Sequence, residues 1–203
     1  MSKQMNEIKW VLASGNKGKL KEFSELLAPL NIQMIAQSEF NFEEAIEDGL
    51  SFVENAIIKA RHACKRTGLP AIADDSGIEV DALNGKPGIY SARYAGEHAN
   101  DKDNLNLLLE NMQDQTNRAA RFVCVIAFMR HEFDPVPIIC QATWEGTLLK
   151  TPIGEGGFGY DPIFEVNELK TSSALLSKEE KNAISHRGKA IKMLLDRLKT
   201  MDI

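Results

Sequence analysis

Residues 8–36 read IKWVLASGNKGKLKEFSELLAPLNIQMIA, and this stretch decides the fold class. Ile8 to Ala13 is an apolar run of strand length, broken at once by the polar turn Ser14-Gly15-Asn16. From Lys17 the apolar residues Leu20, Phe23, Leu27 and Leu30 recur at helical spacing, and Pro29 marks the end of that helix. Ile32 to Ala36 is a second short apolar run. Strand, loop, helix and strand in that order are the opening of a layered α/β fold.

Outward from this unit the pattern stays mixed. Gln37 to Gly49 is a loop rich in acidic residues, and Ser51 with Glu54 forms a capping box that opens a helix. That helix runs to about Thr67, where Gly68 and Pro70 stop it. Asp74-Asp75-Ser76-Gly77 reads as a turn cluster after Pro70–Ala73, followed by an alternating strand from Ile78 to Leu83 and a turn from Asn84 to Gly88. Asp101 to Met112 is a leucine-rich helix. Arg121–Met129 and Val136–Trp144 make a hairpin around His131–Pro135, with Glu145–Lys150 as a possible added strand. After the glycine-rich loop Gly154–Asp161, Ser177 to Glu180 is a second capping box, and Ala190, Ile191, Leu194 and Leu198 form an apolar stripe. No repeat or linker divides the chain, so residues 1–203 are expected to form a single domain.

The composition excludes several classes. With 24 Lys+Arg against 29 Asp+Glu the net charge is −5, and 43% of residues are hydrophobic. Disorder is thereby excluded, and a protein that coats nucleic acid through phosphate neutralisation is disfavoured. Cys64, Cys124 and Cys140 form no C-x-x-C pair, and the four histidines include no i, i+4 pair, so neither a zinc knuckle nor a zincin helix is supported. The longest apolar run, Val123–Met129, is too short for a membrane span. The N-terminus has no apolar signal core, and the expected compartment is the reducing cytoplasm.

Five segments carry candidate chemistry. Ser14 to Lys19 joins a strand to a helix N-terminus, whose free N–H groups and dipole attract anions. It matches neither the Walker A nor the dinucleotide glycine pattern, and a plain βα turn is the competing reading. In Asp74-Asp75 only one carboxylate of an adjacent pair enters a given pocket. Asp75 is the better candidate to bind Mg²⁺ or accept a proton from water, against the alternative of a turn cap. Asn55, Lys59 and His62 lie at i, i+4 and i+7, a polar stripe that ordinarily faces solvent. Phe158 and Tyr160 among glycines either offer a ring for stacking on a nucleobase or pack into the core. Lys181, His186 and Arg187 gather donors suited to base carbonyls or phosphate, or simply form a basic helix end.

Six blocks in order, SGNKGK (14–19), SFVENAIIKA (51–60), ADDSG (73–77), GKPGIYSARYAG (85–96), GGFGYDPIF (156–164) and EEKNAISHRGKA (179–190), closely resemble the inosine/xanthosine triphosphate pyrophosphatase family. The resemblance runs from about Ile8 to Lys199. It implies an elongated α/β fold with a mixed central β-sheet flanked by helices, two lobes with a cleft between them, and a homodimer. It implies Mg²⁺-dependent hydrolysis of ITP, dITP and XTP to the monophosphate and pyrophosphate, with neither nucleic-acid polymer nor membrane as partner. By matching blocks, Ser14, Gly15, Asn16, Lys17, Gly18 and Lys19 would bind triphosphate, with Lys59 beside it as a catalytic group. Glu47 and Asp75 would hold Mg²⁺, with Glu43 and Glu44 as neighbouring candidates for the first position, and Asp75 would take the water's proton. Ser76 would touch substrate, Phe158, Gly159, Tyr160 and Asp161 would enclose the base, and Lys181, His186 and Arg187 would contact base and phosphate. A house-cleaning pyrophosphatase of the septum-inhibitor type, and a nucleotide sensor without turnover, are the competing functions.

Overall fold

The computed structural model describes residues 8–201, excluding the side chains of Lys17, Glu22 and Leu26. Seven strands form one mixed sheet in the order β2-β1-β3-β4-β5-β6-β7. They are β1 (Ile8–Leu12), β2 (Ile32–Ala36), β3 (Ala71–Val80), β4 (Ala119–Met129), β5 (Ile138–Leu148), β6 (Phe164–Val166) and β7 (Thr171–Ser172). β1 is parallel to β2 and β3, whereas β6 is antiparallel to β5 and β7. The helices are α1 (Lys17–Leu27), α2 (Phe52–Thr67), α3 (Asp101–Asn111), α4 (Lys178–Ile184) and α5 (His186–Leu198). The opening β-α-β unit stands as its periodicity predicts, with Ile8 opposite Ile32 and Leu12 opposite Ala36. None of the helices among the described residues is long and apolar enough to cross a membrane.

The fold divides into two compact units. One comprises the chain up to Asp75, Val125–Cys140 and the chain from Ile191; the other comprises Ser76–Cys124 and Gln141–Ala190. In the first, Trp10 packs on Phe128 with ring centroids 4.3 Å apart. The small face of α2, formed by Ala56, Ala60 and Ala63, is fully buried, which lets the helix lie close to its neighbours. α2 stops where Gly68 takes a left-handed conformation at φ +69° and its N–H reaches Cys64 O, the glycine cap predicted from sequence. In the second unit, Ile78, Val80, Leu108, Met112, Phe122, Trp144 and Phe164 form one core.

Three differences from the sequence reading bear on function. Asp74-Asp75-Ser76-Gly77 is no turn: it is the middle of the ten-residue strand β3, which ends at Val80, not Leu83. Asp, Ser and Gly read locally as turn residues because they bond their own backbone, but here long-range pairing prevails. Gly77 shows how. A Cβ there would collide with Gly88 O and Ser91 Oγ, and that close approach lets Ser91 Oγ accept the Ile78 N–H at 2.8 Å. Gly77→Ala is therefore expected to cost about 1–3 kcal/mol, read as a lower denaturant midpoint at unchanged m-value. Second, Glu145–Leu148 is no separate strand but the continuation of β5. Third, the polar stripe of α2 is not a solvated face. Asn55 is buried, and the Lys59 side chain is only 15% exposed.

Candidate functional site

In the first unit, β1 ends at Leu12 and hands the chain to Ser14–Asn16, and α1 begins at Lys17. Asn16 caps this helix, its Oδ1 accepting from Gly18 N at 2.8 Å and Lys19 N at 3.2 Å. Two of the N–H groups expected to be free for an anion are thus taken by the cap. The positive end of the helix dipole remains. Lys19 Nζ lies 2.7 Å from both oxygens of Asp74, whose side chain is fully buried.

Asp75, the next strand residue, takes a different lysine, as residues that alternate across a strand should. Lys59 reaches from α2 and donates to Asp75 Oδ1 at 2.9 Å and to Glu47 Oε2 at 3.0 Å. One ammonium thus joins two carboxylates. Of the three glutamates considered for this place, Glu47 is the one on Lys59; Glu44 accepts from Gln37, and Glu43 offers its carbonyl to the His62 ring. Burial works to discharge Lys59, but the attraction of Asp75 and Glu47 outweighs it and holds the amine above its ordinary range. Burial likewise pushes the Asp75 carboxyl above its ordinary value. Lys59 opposes that rise and Glu47 adds to it. A buried carboxylate with raised basicity is the kind of group that takes a proton from water. Ser14, Gly15, Lys19, Glu47, Lys59 and Asp74 line a common cavity of about 190 Å³.

The second unit holds a different pocket, of about 130 Å³. The Phe158 ring is 57% exposed, with Lys181 Nζ 4.5 Å and Arg187 Cζ 5.5 Å from its centroid. Its loop is held from several sides. Asp161, buried, accepts from Phe158 N, Ser173 Oγ and Lys181 Nζ. Asp101 accepts from Gly159 N at 2.7 Å, and the buried Tyr160 hydroxyl donates to Ser91 O at 2.8 Å. His186 stacks on Phe122 at 4.9 Å, nearly parallel, and Arg187 Nη2 donates to Ser76 Oγ at 3.2 Å. A flat apolar wall edged by donors has the chemistry to accept an aromatic ring that carries acceptor oxygens.

The model of the Ham1 family matches residues 10–197 of this chain. The chain belongs to the Ham1 family. Its relatives include the dITP/XTP pyrophosphatases of Vibrio cholerae, 60% identical over 92% of this chain and 94% of that protein, and of Shigella flexneri, 54% identical over 94% and 98%. A solved HAM1 protein from Coxiella burnetii superposes with a TM-score of 0.93 at 50% identity, covering 96% of this chain and all of that one. The α/β class with a mixed central sheet is therefore the Ham1 fold.

Within this Ham1 chain the predicted residues fall into two groups. Ser14, Gly15, Lys19, Glu47, Lys59 and Asp75 are brought together in the first unit, where Asn16 and Gly18 form the cap. Ser76, Phe158, Gly159, Tyr160, His186 and Arg187 line the pocket of the second, and Lys181 lies over the Phe158 ring. The Lys17 side chain lies outside the described residues. Asp75 and Ser76 are consecutive, so β3 carries a member of each group. Sequence reasoning missed Asp74 as the partner of Lys19, Asn55 as a buried group, and Asp101, Ser91 and Phe122 as supports of the ring pocket. Asp101 had a visible signal, since it opens a helix whose Asn100 cap is complete.

Proposed function

We propose that this chain hydrolyses non-standard purine nucleoside triphosphates, dITP, XTP and ITP, to the monophosphate and pyrophosphate, as its relatives, the dITP/XTP pyrophosphatases, are named for doing with dITP and XTP. The observation that carries this reading is the Glu47–Lys59–Asp75 cluster, whose Glu47 and Lys59 line one cavity with Ser14, Gly15 and Lys19. Lys19, Lys59 and the α1 N-terminus draw the triphosphate tail into that cavity. Asp75 accepts a proton from the attacking water. The water's oxygen forms the new bond to the α-phosphorus, the bond from that phosphorus to the α–β bridging oxygen breaks, and pyrophosphate leaves with the bond electrons. The pocket of the second unit takes the base, with Phe158 as a stacking face.

Glu47 and Asp75 are the residues that would hold Mg²⁺. Their oxygen donors suit a hard cation, and Asp75 Oδ2 is buried without a hydrogen-bond partner. When bound, the ion supplies charge neutralisation on the phosphates during displacement.

Selectivity follows from donors. His186 and Arg187 border the ring pocket, and donors there satisfy the 6-oxo group of hypoxanthine or xanthine but oppose the 6-amino group of adenine. The test is phosphorus NMR of dITP incubated with enzyme and Mg²⁺. Monophosphate and pyrophosphate are expected, with turnover lost on chelation and restored by Mg²⁺; orthophosphate as first product contradicts the proposed cleavage. Phe158→Ala is expected to raise KM for dITP about tenfold, in line with the loss of one base stack, while thermal stability stays near that of the parent because the ring is exposed. Steady-state kinetics beside a melting curve separate the two effects.

A further inference from the structure

Asn55 is a buried polar side chain that no step above uses. It sits one turn before Lys59 on α2 and is 1% exposed. Burying an amide without function is costly, so each end needs an account. Its Oδ1 accepts the Gly49 N–H at 2.9 Å, two residues beyond Glu47. Gly49 is needed for that contact, since a Cβ there would stand 2.7 Å from Asn55 Oδ1 and 2.7 Å from Glu54 Cβ. The other end, Nδ2, is buried and completes no hydrogen bond, and neither does Asp75 Oδ2. One side chain thus grips the loop that carries Glu47, while Lys59, four residues on along the same helix, bridges Glu47 and Asp75.

We propose that Asn55 is a positioning residue that sets the spacing of Glu47 and Asp75 and so tunes the affinity of this carboxylate pair for a divalent cation. The inference rests on the proposed function of the site. It goes beyond it by assigning the control of carboxylate geometry to a residue that touches neither substrate nor ion. Groups that orient metal ligands change affinity or activity about 10- to 100-fold when removed.

Three variants probe the two ends of the amide. Asn55→Leu keeps the branched outline but removes both polar ends, whereas Asn55→Asp keeps an acceptor for Gly49 N and replaces the amine with an oxygen. Gly49→Ala attacks the loop end alone. The readout is Mn²⁺ binding to the nucleotide-free protein by electron paramagnetic resonance, beside kcat and KM for dITP. Asn55→Leu and Gly49→Ala are each expected to weaken Mn²⁺ binding about tenfold, with the double variant no weaker than Asn55→Leu because both act through one contact. In Asn55→Leu kcat falls by a similar factor while KM for dITP stays within about twofold. Asn55→Asp is expected to lower kcat without weakening Mn²⁺ binding. Folded Asn55→Leu protein with parental Mn²⁺ affinity and kcat overturns the proposal, even if its melting temperature drops. If Asn55→Leu does not fold, Asn55→Asp decides: parental kcat overturns the proposal. Parent protein that neither binds Mn²⁺ nor turns over dITP refutes the functional reading itself.

Discussion

Asp75→Asn is expected to lower kcat for dITP by about 10²–10⁴-fold, the contribution of a positioned general base, while KM changes by no more than about threefold. The substitution keeps the shape of the side chain but removes its charge, and with it the ability to take a proton, the ion pair with Lys59 and one carboxylate of the proposed Mg²⁺ pair. Glu47 still pairs with Lys59 at 3.0 Å, so the lysine keeps a counter-charge and the fold should persist. The same group sets the pH dependence. Burial raises the Asp75 carboxyl above its ordinary value of 3.8, and activity needs the ionised form. As pH falls, activity should therefore be lost at a higher pH than for an ordinary aspartate. The acid limb of kcat/KM measures this in the free enzyme. A kcat for Asp75→Asn within twofold of the parent removes Asp75 from the mechanism.

Lys59→Met should have the second large effect, lowering kcat/KM about 10²–10³-fold. The ammonium is bonded to both Glu47 and Asp75, and it faces the cavity assigned to the triphosphate. Its removal takes away a cation and leaves two neighbouring carboxylates with less to offset their repulsion. Because Lys59 favours the ionised form of Asp75, losing it makes Asp75 bind its proton more tightly. The acid limb should then move to higher pH than in the parent. Lys59→Arg keeps the charge and should recover part of the activity. A Lys59→Met enzyme whose acid limb stays in place contradicts the electrostatic link between the two residues.

Much of this fold is legible locally. The β-α-β opening follows from an apolar run, a polar turn and helical spacing, none of which needs a distant partner. The α2 boundaries follow from Ser51 and Gly68, and the α4 start from Ser177 and Glu180, whose reciprocal bonds are both present. What stayed hidden depends on how loops fold back onto the regular elements, which periodicity does not report. Asp74-Asp75-Ser76-Gly77 has turn composition, and only the fit of Gly77 against Gly88 and Ser91 shows why a strand passes there. Asn55 shares its helical stripe with Lys59, and periodicity assigns such a stripe to solvent. The acidic loop 37–49 instead covers it, through Gly49 and Glu47. Asp161 shows the same limit in the candidate site, since its carboxylate faces inward to Phe158 N and Ser173 rather than outward. The ordered blocks show which residues matter, but not which of them bond to one another.

The proposed site must distinguish a 6-oxo purine triphosphate from an ordinary 6-amino one and cut it between the α and β phosphates. The most direct measurement is kcat/KM for pyrophosphate release from dITP and dATP, run in parallel with Mg²⁺. The account predicts a preference for dITP of at least about a hundredfold, because adenine would leave buried donors opposed. Equal rates on the two nucleotides, or orthophosphate as the product, would contradict it.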